Sequence, residues 1–329
     1  MLTAELIQSF PDLLALKPEW CRLAEANRIL TPFGSPDWLL TWWKHFGSGI
    51  LRTFVFRSDG RLAGVLPCFL HEWEGKRQIS LMGSGLSDYL EPPIASDIGY
   101  QAMKVVGSIL ADQDDWDVCN WQDLDVDTVL AHLTGNGLTV SVQQDTDCSE
   151  ILLCGDFSAY WAGRPHGLRR NVRRYMEKAR LIAEADFAVS QKPEAEVIDA
   201  LTTLHTARWQ TRGEPGMILA NRSAAFLREV ASVFADAGSL LLFSLRYQDR
   251  VVAVILAFVS GSTLFSYLSA FDPEYEALGF GRSLLYHSVQ YAFERQYQSW
   301  NFLRGNEPYK FDWGARSIPK RRVIITRGS

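Results

Sequence analysis

One stretch narrows the choice of fold more than any other. A strand over Thr263–Ala270 runs into Phe271-Asp272-Pro273, and Leu278-Gly279-Phe280-Gly281 then opens a helix reaching about Arg295. A strand that feeds glycines into a helix start makes a cradle for pyrophosphate. Unpaired backbone N–H groups point at the ligand there, and the helix dipole favours negative charge. Glycine lets the backbone approach without a Cβ in the way. The same residues also suit a plain helix cap with a close-packing glycine, and spacing alone leaves both readings open.

The elements on either side extend the pattern. Upstream lie a hairpin, Leu240–Tyr247 and Val251–Val259 about a Gln248-Asp249-Arg250 turn, and downstream a strand over Ser299–Leu303 with a last strand over Arg322–Thr326. Helical periodicity marks Asp156–Gly163, Leu168–Ala185, Val197–Thr211 and Ala224–Ala237. In the first half a helix is expected over Pro11–Ala26, from the spacing of Leu13, Leu16, Trp20 and Leu23. A second starts at Ser35-Pro36-Asp37, where serine caps and proline takes the first turn, and stops at Gly47. A hairpin follows, Leu51–Arg57 and Leu62–His71 about Ser58-Asp59-Gly60, then a strand over Gln78–Met82 and a helix over Tyr100–Ala111. Trp116–Trp121 reads as a strand, Val126–Leu133 as a helix, and Leu138–Gln143 and Glu150–Leu153 as short strands.

Set side by side, the halves repeat one order: a hairpin with aspartate at its turn (Asp59 or Asp249), another strand, a helix, and a short strand with tryptophan at its start (Trp116 or Trp300). The expected fold is therefore α/β (α+β), two copies of one unit with mixed, mostly antiparallel sheets flanked by helices, divided at 1–155 and 156–329.

Composition removes several classes. A hydrophobic fraction of 47% and a charged fraction of 22% are those of a globular protein. The net charge of −5 argues against general nucleic-acid binding. The five cysteines form no Cys-x-x-Cys pair and the six histidines do not cluster with them, so a reducing compartment and no metal are expected. No secretory leader opens the chain, and Val251–Val259, the longest apolar run, is half a membrane span. A cytoplasmic location is expected, with contact at the inner face of a membrane left open.

Charge is distributed unevenly. Between Arg164 and Arg180 stand Arg164, Arg169, Arg170, Arg173, Arg174, Lys178 and Arg180 against the single acid Glu177. Arg169 with Arg173, and Arg170 with Arg174, share helix faces. Clustered guanidinium groups grip phosphates bidentately, although a charge run also serves as a solvated face. Arg304 and Lys310, in a loop after a strand end, can meet anionic groups, while Glu307 and Tyr309 can move protons; the loop can equally be a charge-paired cover. His205, Arg208 and Trp209 lie about one helical turn apart. Asp272 either starts a turn or takes part in catalysis.

The strand order and the glycine turn resemble the GNAT acyltransferase fold, whose signature before the helix is Gln/Arg-x-x-Gly-x-Gly/Ala. Here it reads Glu276-Ala277-Leu278-Gly279-Phe280-Gly281, with glutamate in place of glutamine or arginine. Phe33-x-Ser35-Pro36-x-Trp38, Trp42, Phe46-Gly47, Gly64-x-Leu66-Pro67, Leu168–Arg174, Leu204-His205-x-x-Arg208-Trp209 and Gly305-x-Glu307-x-Tyr309-Lys310-x-x-Trp313 resemble the CelD/BcsL family of cellulose and exopolysaccharide biosynthesis. That family is similar to the Fem-type aminoacyl transferases, which carry two GNAT-like units.

The resemblance implies a degenerate first unit and an active second one. Acetyl-CoA or another acyl-CoA would bind Gly279, Phe280, Gly281 and Arg282. Asp272, Glu307 and Tyr309 would serve catalysis. Arg169, Arg170, Arg173, Arg174, His205, Arg208, Trp209, Arg304 and Lys310 would bind the acceptor, an amino-sugar, nucleotide-sugar or exopolysaccharide precursor. The expected chemistry is direct attack on the thioester, since the chain offers no Gly-x-Ser-x-Gly elbow. Two other readings stand beside it: a Fem-like transferase fed by aminoacyl-tRNA, the one case in which nucleic acid would be a partner, and a non-catalytic component of a polysaccharide-synthase complex, which Glu276 favours.

Overall fold

The computed structural model describes residues 1–26, 31–181, 185–210 and 221–328, with the side chains of 179–181, 208–210 and 221 outside that description. The chain divides into two compact units, Met1–Asp147 with Pro319–Ser329, and Cys148–Ile318.

In unit 1, β1 (Leu2–Ile7) is followed by α1 (Phe10–Ala15), α2 (Lys17–Ala26) and α3 (Pro36–Phe46). The single helix expected over Pro11–Ala26 is two helices, because Pro18 falls in the first turn of α2, where its missing N–H costs nothing. Ser35 caps α3 as its position predicts, accepting from the Trp38 N–H at 3.2 Å. Trp38, Leu39, Leu40 and Trp42 of α3 are buried. Next come β2 (Ile50–Leu51), β3 (Thr53–Ser58), β4 (Arg61–Leu66), β5 (Cys68–Trp73), β6 (Lys76–Leu81), α4 (Gly99–Asp112), β7 (Val118–Leu124) and β8 (Leu138–Gln144). The long second arm of the expected hairpin is broken into β4 and β5 at Pro67, which has no N–H for a ladder. The helix expected over Val126–Leu133 shrinks to a 3-10 turn at Val129–His132. There the Thr128 hydroxyl accepts from the Leu130 N–H and donates to Glu91, a local alternative to helix.

Unit 2 holds β9 (Cys148–Leu152), α5 (Phe157–Ala162), α6 (His166–Leu181), β10 (Ala185–Ser190), α7 (Ala195–Gln210), α8 (Asn221–Asp236), β11 (Leu240–Tyr247), β12 (Arg250–Ser260), β13 (Thr263–Phe271), α9 (Phe280–Glu294), β14 (Ser299–Arg304), α10 (Pro308–Asp312) and β15 (Arg316–Ile318). The closing strand β16 (Arg321–Arg327) belongs to unit 1.

The two sheet systems share one order. Unit 2 runs β10-β11-β12-β13-β14-β9-β15; unit 1 runs β1-β3-β4 and then β2-β5-β6-β7-β16-β8. With β2 and β3 together standing for β11, and β4 and β5 for β12, each strand has a counterpart, and Leu51–Arg57 corresponds to β11 as the repeat predicts. In both series every ladder between counterparts is antiparallel except one, β6 with β7 and β13 with β14. The duplicated α/β fold is thus present at the level of topology. The core of unit 2 lies between its sheet and α9, where Phe243, Ile255, Leu264, Leu284, Val289 and Trp300 are buried. Val251–Val259 is the buried strand its β-branched run implies. Among the described residues no helix is long and apolar enough to cross a membrane.

Candidate functional site

The parallel pair β13–β14 is the place where the sheet of unit 2 opens. The strands pair only at Thr263↔Ser299, Leu264↔Trp300 and Phe265↔Asn301, while β13 continues to Phe271 and β14 to Arg304. A bulge turns β14 away: its register with β9 shifts between Asn301 and Leu303, and Leu303 stands at φ 63°. The Leu303 N–H is taken by Asn301 Oδ1 at 2.8 Å. The carbonyls beyond it converge on one ammonium. Lys310 Nζ donates to Leu303 O, Arg304 O and Gly305 O at 3.4, 2.7 and 3.1 Å, and pairs with Glu307 at 2.9 Å. Lys310 is only 2% exposed. A buried ammonium needs such a full set of acceptors, and with them Lys310 pins the end of β14.

The neighbouring residues divide between pin and surface. Glu307 is half exposed, and its carboxylate lies against Gly305, whose φ of 109° and lack of Cβ allow that approach. Tyr309 is exposed on α10, with its ring edge-on to Phe302. Arg304 is half-buried. Tyr160 of α5 donates to the Trp313 carbonyl, and burial pushes its phenol well above the usual tyrosine range.

On the other side of the opening, a 3-10 turn, Pro273–Leu278, joins β13 to α9. Asp272 is 9% exposed and caps that turn, accepting from the Glu274 N–H at 3.0 Å, with the Arg250 guanidinium 3.7 Å away. Gly279 at φ 67° ends the turn and begins α9. A Cβ there would fall 2.3 Å from the Tyr175 ring. A Cβ at Gly281 would lie 2.8 Å from the Phe271 ring, so the missing Cβ at this glycine makes room for a phenyl ring. The N-terminus of α9 has no side-chain cap and no acid in its first turn. It carries Arg282 instead, a cation at the positive end of the helix dipole.

α6 packs alongside this turn. Val172 is fully buried and Leu168 and Met176 meet the core, while Arg170, Arg173, Arg174 and Lys178 are exposed. Among the described residues, none of these four nor Arg282 is seen in an ion pair. Lys178 reaches the Ala277 carbonyl at 3.5 Å. Arg174 and Arg282 both donate to the Tyr175 hydroxyl, at 3.4 and 3.3 Å. Arg169 is turned away, its Nε bonded to Arg164 O at 3.0 Å. The structure therefore brings together Gly279, Phe280, Gly281, Arg282, Arg174 and Lys178. His205 is buried within α7, which packs on β12 and β13. The Arg208 and Trp209 side chains lie outside the described residues. Sequence reasoning missed Tyr175 and Phe271, which stand in the glycine contacts; a single tyrosine among arginines and a phenylalanine at a strand end carry no signal of their own.

Unit 1 handles the equivalent gap differently. β6 and β7 pair over Gln78–Ser80 and Val118–Asn120, and Asp123 repeats the positive φ of Leu303, at 60°. The segment after β6 then crosses to β7 and returns to β4. The Leu90 N–H donates to Asp123 O, the Val65 N–H to Pro93 O and the Ala95 N–H to Ala63 O. Glu91 anchors it, accepting from the Asp125 N–H at 3.2 Å and the Thr128 hydroxyl at 2.9 Å. Lys320, fully buried, pairs with Asp125 at 2.6 Å and sits 3.6 Å above the Tyr89 ring. Burial, with Asp125 beside it, pushes Glu91 up to about 7.

Residues 166–311, all within unit 2, match the family described as "Acetyltransferase (GNAT) domain". Among solved structures the chain is similar to FemX, at 12% identity, TM-score 0.66, covering 93% of this chain and 95% of that one. It is similar to L-PGS from Bacillus licheniformis at 14% identity and TM-score 0.57, covering 88% and 91%. It is similar to the tandem GNAT protein from the clavulanic acid biosynthesis pathway at 11% identity and TM-score 0.51, covering 100% and 99%. No curated protein sequence matches the chain. Residues 166–311 thus carry an acetyltransferase (GNAT) domain match, and the fold of the chain is that of the FemX and tandem GNAT structures.

Proposed function

We propose that unit 2 transfers an acyl group from an acyl-CoA thioester to an amine of a sugar or glycan precursor, by direct attack. The observation that carries this reading is the opening between β13 and β14 beside an uncapped helix N-terminus with Arg282 in its first turn. Backbone groups of β13 beyond Phe265 have no partner on β14 and suit the amides of a pantetheine arm. The Phe280 and Gly281 N–H groups and Arg282 suit a pyrophosphate. Glu307 would accept the proton of the attacking amine, and Tyr309 would return one to the leaving thiolate. Asp272 is spent on capping its turn, which leaves it outside the proton path. Arg170 and Arg173, exposed and without ion pairs among the described residues, would hold an anionic acceptor.

A second donor has one observation in its favour. The exposed row Arg170, Arg173 and Arg174 is longer than one pyrophosphate requires, and aminoacyl-tRNA would use it. Calorimetry distinguishes the two. Acetyl-CoA should bind the full chain, while deacylated tRNA should show no binding that survives physiological salt. The reverse result would exchange the donors. A glycan pathway and a cytoplasmic site, at the inner face of a membrane or elsewhere, remain part of this proposal.

A further inference from the structure

Tyr175 holds a position that neither the acyl transfer nor the glycine turn requires by itself. Its ring lies against Gly279 so closely that any Cβ there would strike it. Its hydroxyl accepts from two guanidinium groups on different helices, Arg174 of α6 and Arg282 of α9. Both bonds are long for a charged donor, and each guanidinium also lies near the ring, with Cζ 5.1 and 5.6 Å from its centroid. A phenol that accepts twice still has its own proton to donate, and among the described residues no acceptor for it is present. Lys178 adds a further cation at the Ala277 carbonyl on the same turn. Like charges collected at the positive end of a helix dipole repel one another unless an anion joins them.

We infer that Tyr175 is a binding residue for the donor, the hub of an anion clamp in which one phosphate group accepts from Arg174, Arg282 and the Tyr175 hydroxyl together. The inference rests on the donor site proposed above and names the part of α6 that reads the donor's phosphates. It separates Arg174 and Lys178, which face the glycine turn, from Arg170 and Arg173. It also gives a reason for glycine at 279: the phenol must sit directly on the helix start to present its proton there.

Calorimetric titration of the full chain with CoA and, separately, with inorganic pyrophosphate tests this. Tyr175→Phe keeps the ring on Gly279 and removes only the hydroxyl. Wild type should bind both probes, and the variant should bind each about tenfold more weakly, the scale of one hydrogen bond to a charged group, with an unchanged thermal midpoint. Arg174→Ala should weaken pyrophosphate by at least as much and flatten its salt dependence. Equal pyrophosphate affinity in wild type and Tyr175→Phe would overturn the clamp, as would a wild type that binds neither probe. Tyr175-dependent pyrophosphate binding with no CoA binding would remove the CoA donor and leave the clamp standing.

Discussion

Units 1 and 2 share strand order, the one parallel ladder and even the bulge that turns the middle strand away, yet only one keeps an opening. In unit 2 the strands separate and the end of β14 is held back by Lys310, a pin drawn from the strand's own following helix. In unit 1 the segment after β6 crosses the corresponding space and is tied to β7 and β4 by backbone bonds. The gap is therefore a property of the topology, and its use depends on what the chain does immediately after the first parallel strand. A short turn into a helix leaves a helix N-terminus facing the gap. A longer segment carrying Leu90, buried in the core, and Glu91 closes it.

Breaking the pin should have the largest effect. Lys310→Met leaves three carbonyls and a carboxylate without their ammonium, and should destabilise unit 2 by roughly 3–5 kcal/mol, read by urea unfolding followed at Trp300 and Trp313. An effect below about 1 kcal/mol would mean the bulge alone turns β14. Gly279→Val should follow. A left-handed valine costs about 1–2 kcal/mol, and the Tyr175 ring must also move, so the unfolding midpoint should fall and CoA binding should disappear. Gly281→Val should cost about 1–3 kcal/mol through Phe271, which thermal melting would detect.

The filled gap has its own test. The Glu91 carboxyl sits at about 7 in the folded chain against an ordinary 4.5. Between those values the unfolded chain binds fewer protons than the folded one, so stability falls as pH rises across that window, by on the order of 2–3 kcal/mol. Glu91→Gln should flatten the fall when melting is followed between pH 4.5 and 7.5. A variant with the wild-type pH profile would show that Glu91 does not titrate within the segment. The smallest effect is expected at the surface: Arg170→Ala with Arg173→Ala should leave stability within about 0.5 kcal/mol while weakening an anionic acceptor, more so at low salt.

The legible parts of the sequence were those where periodicity or backbone chemistry is strong. The Val251–Val259 run, the Ser35-Pro36 helix start and the Gly279 turn each state a local requirement that tertiary structure then honours. β1 and β10 were not read as strands: Leu2, Ala4 and Leu6 do alternate with Thr3 and Glu5, but six residues at a sheet edge with no fully buried position make a weak signal. β16 was readable as a strand, but nothing local says that it pairs with β7 and β8 in unit 1. Within the site, arginines and glycines announced themselves by type. The burial of Lys310 was not legible because it depends on carbonyls brought to it by the fold. Tyr175 was passed over because its meaning lies in Gly279 and Arg282, a hundred residues away in sequence but adjacent in space.

On this reading the donor occupies the opening of unit 2 and not its filled counterpart. Amide hydrogen exchange on the full chain, with and without saturating CoA, addresses it directly. CoA should add protection over Phe271–Arg282 and along α6 around Tyr175, and leave exchange unchanged over residues 83–98. Protection over 83–98 with none at the start of α9 would contradict it.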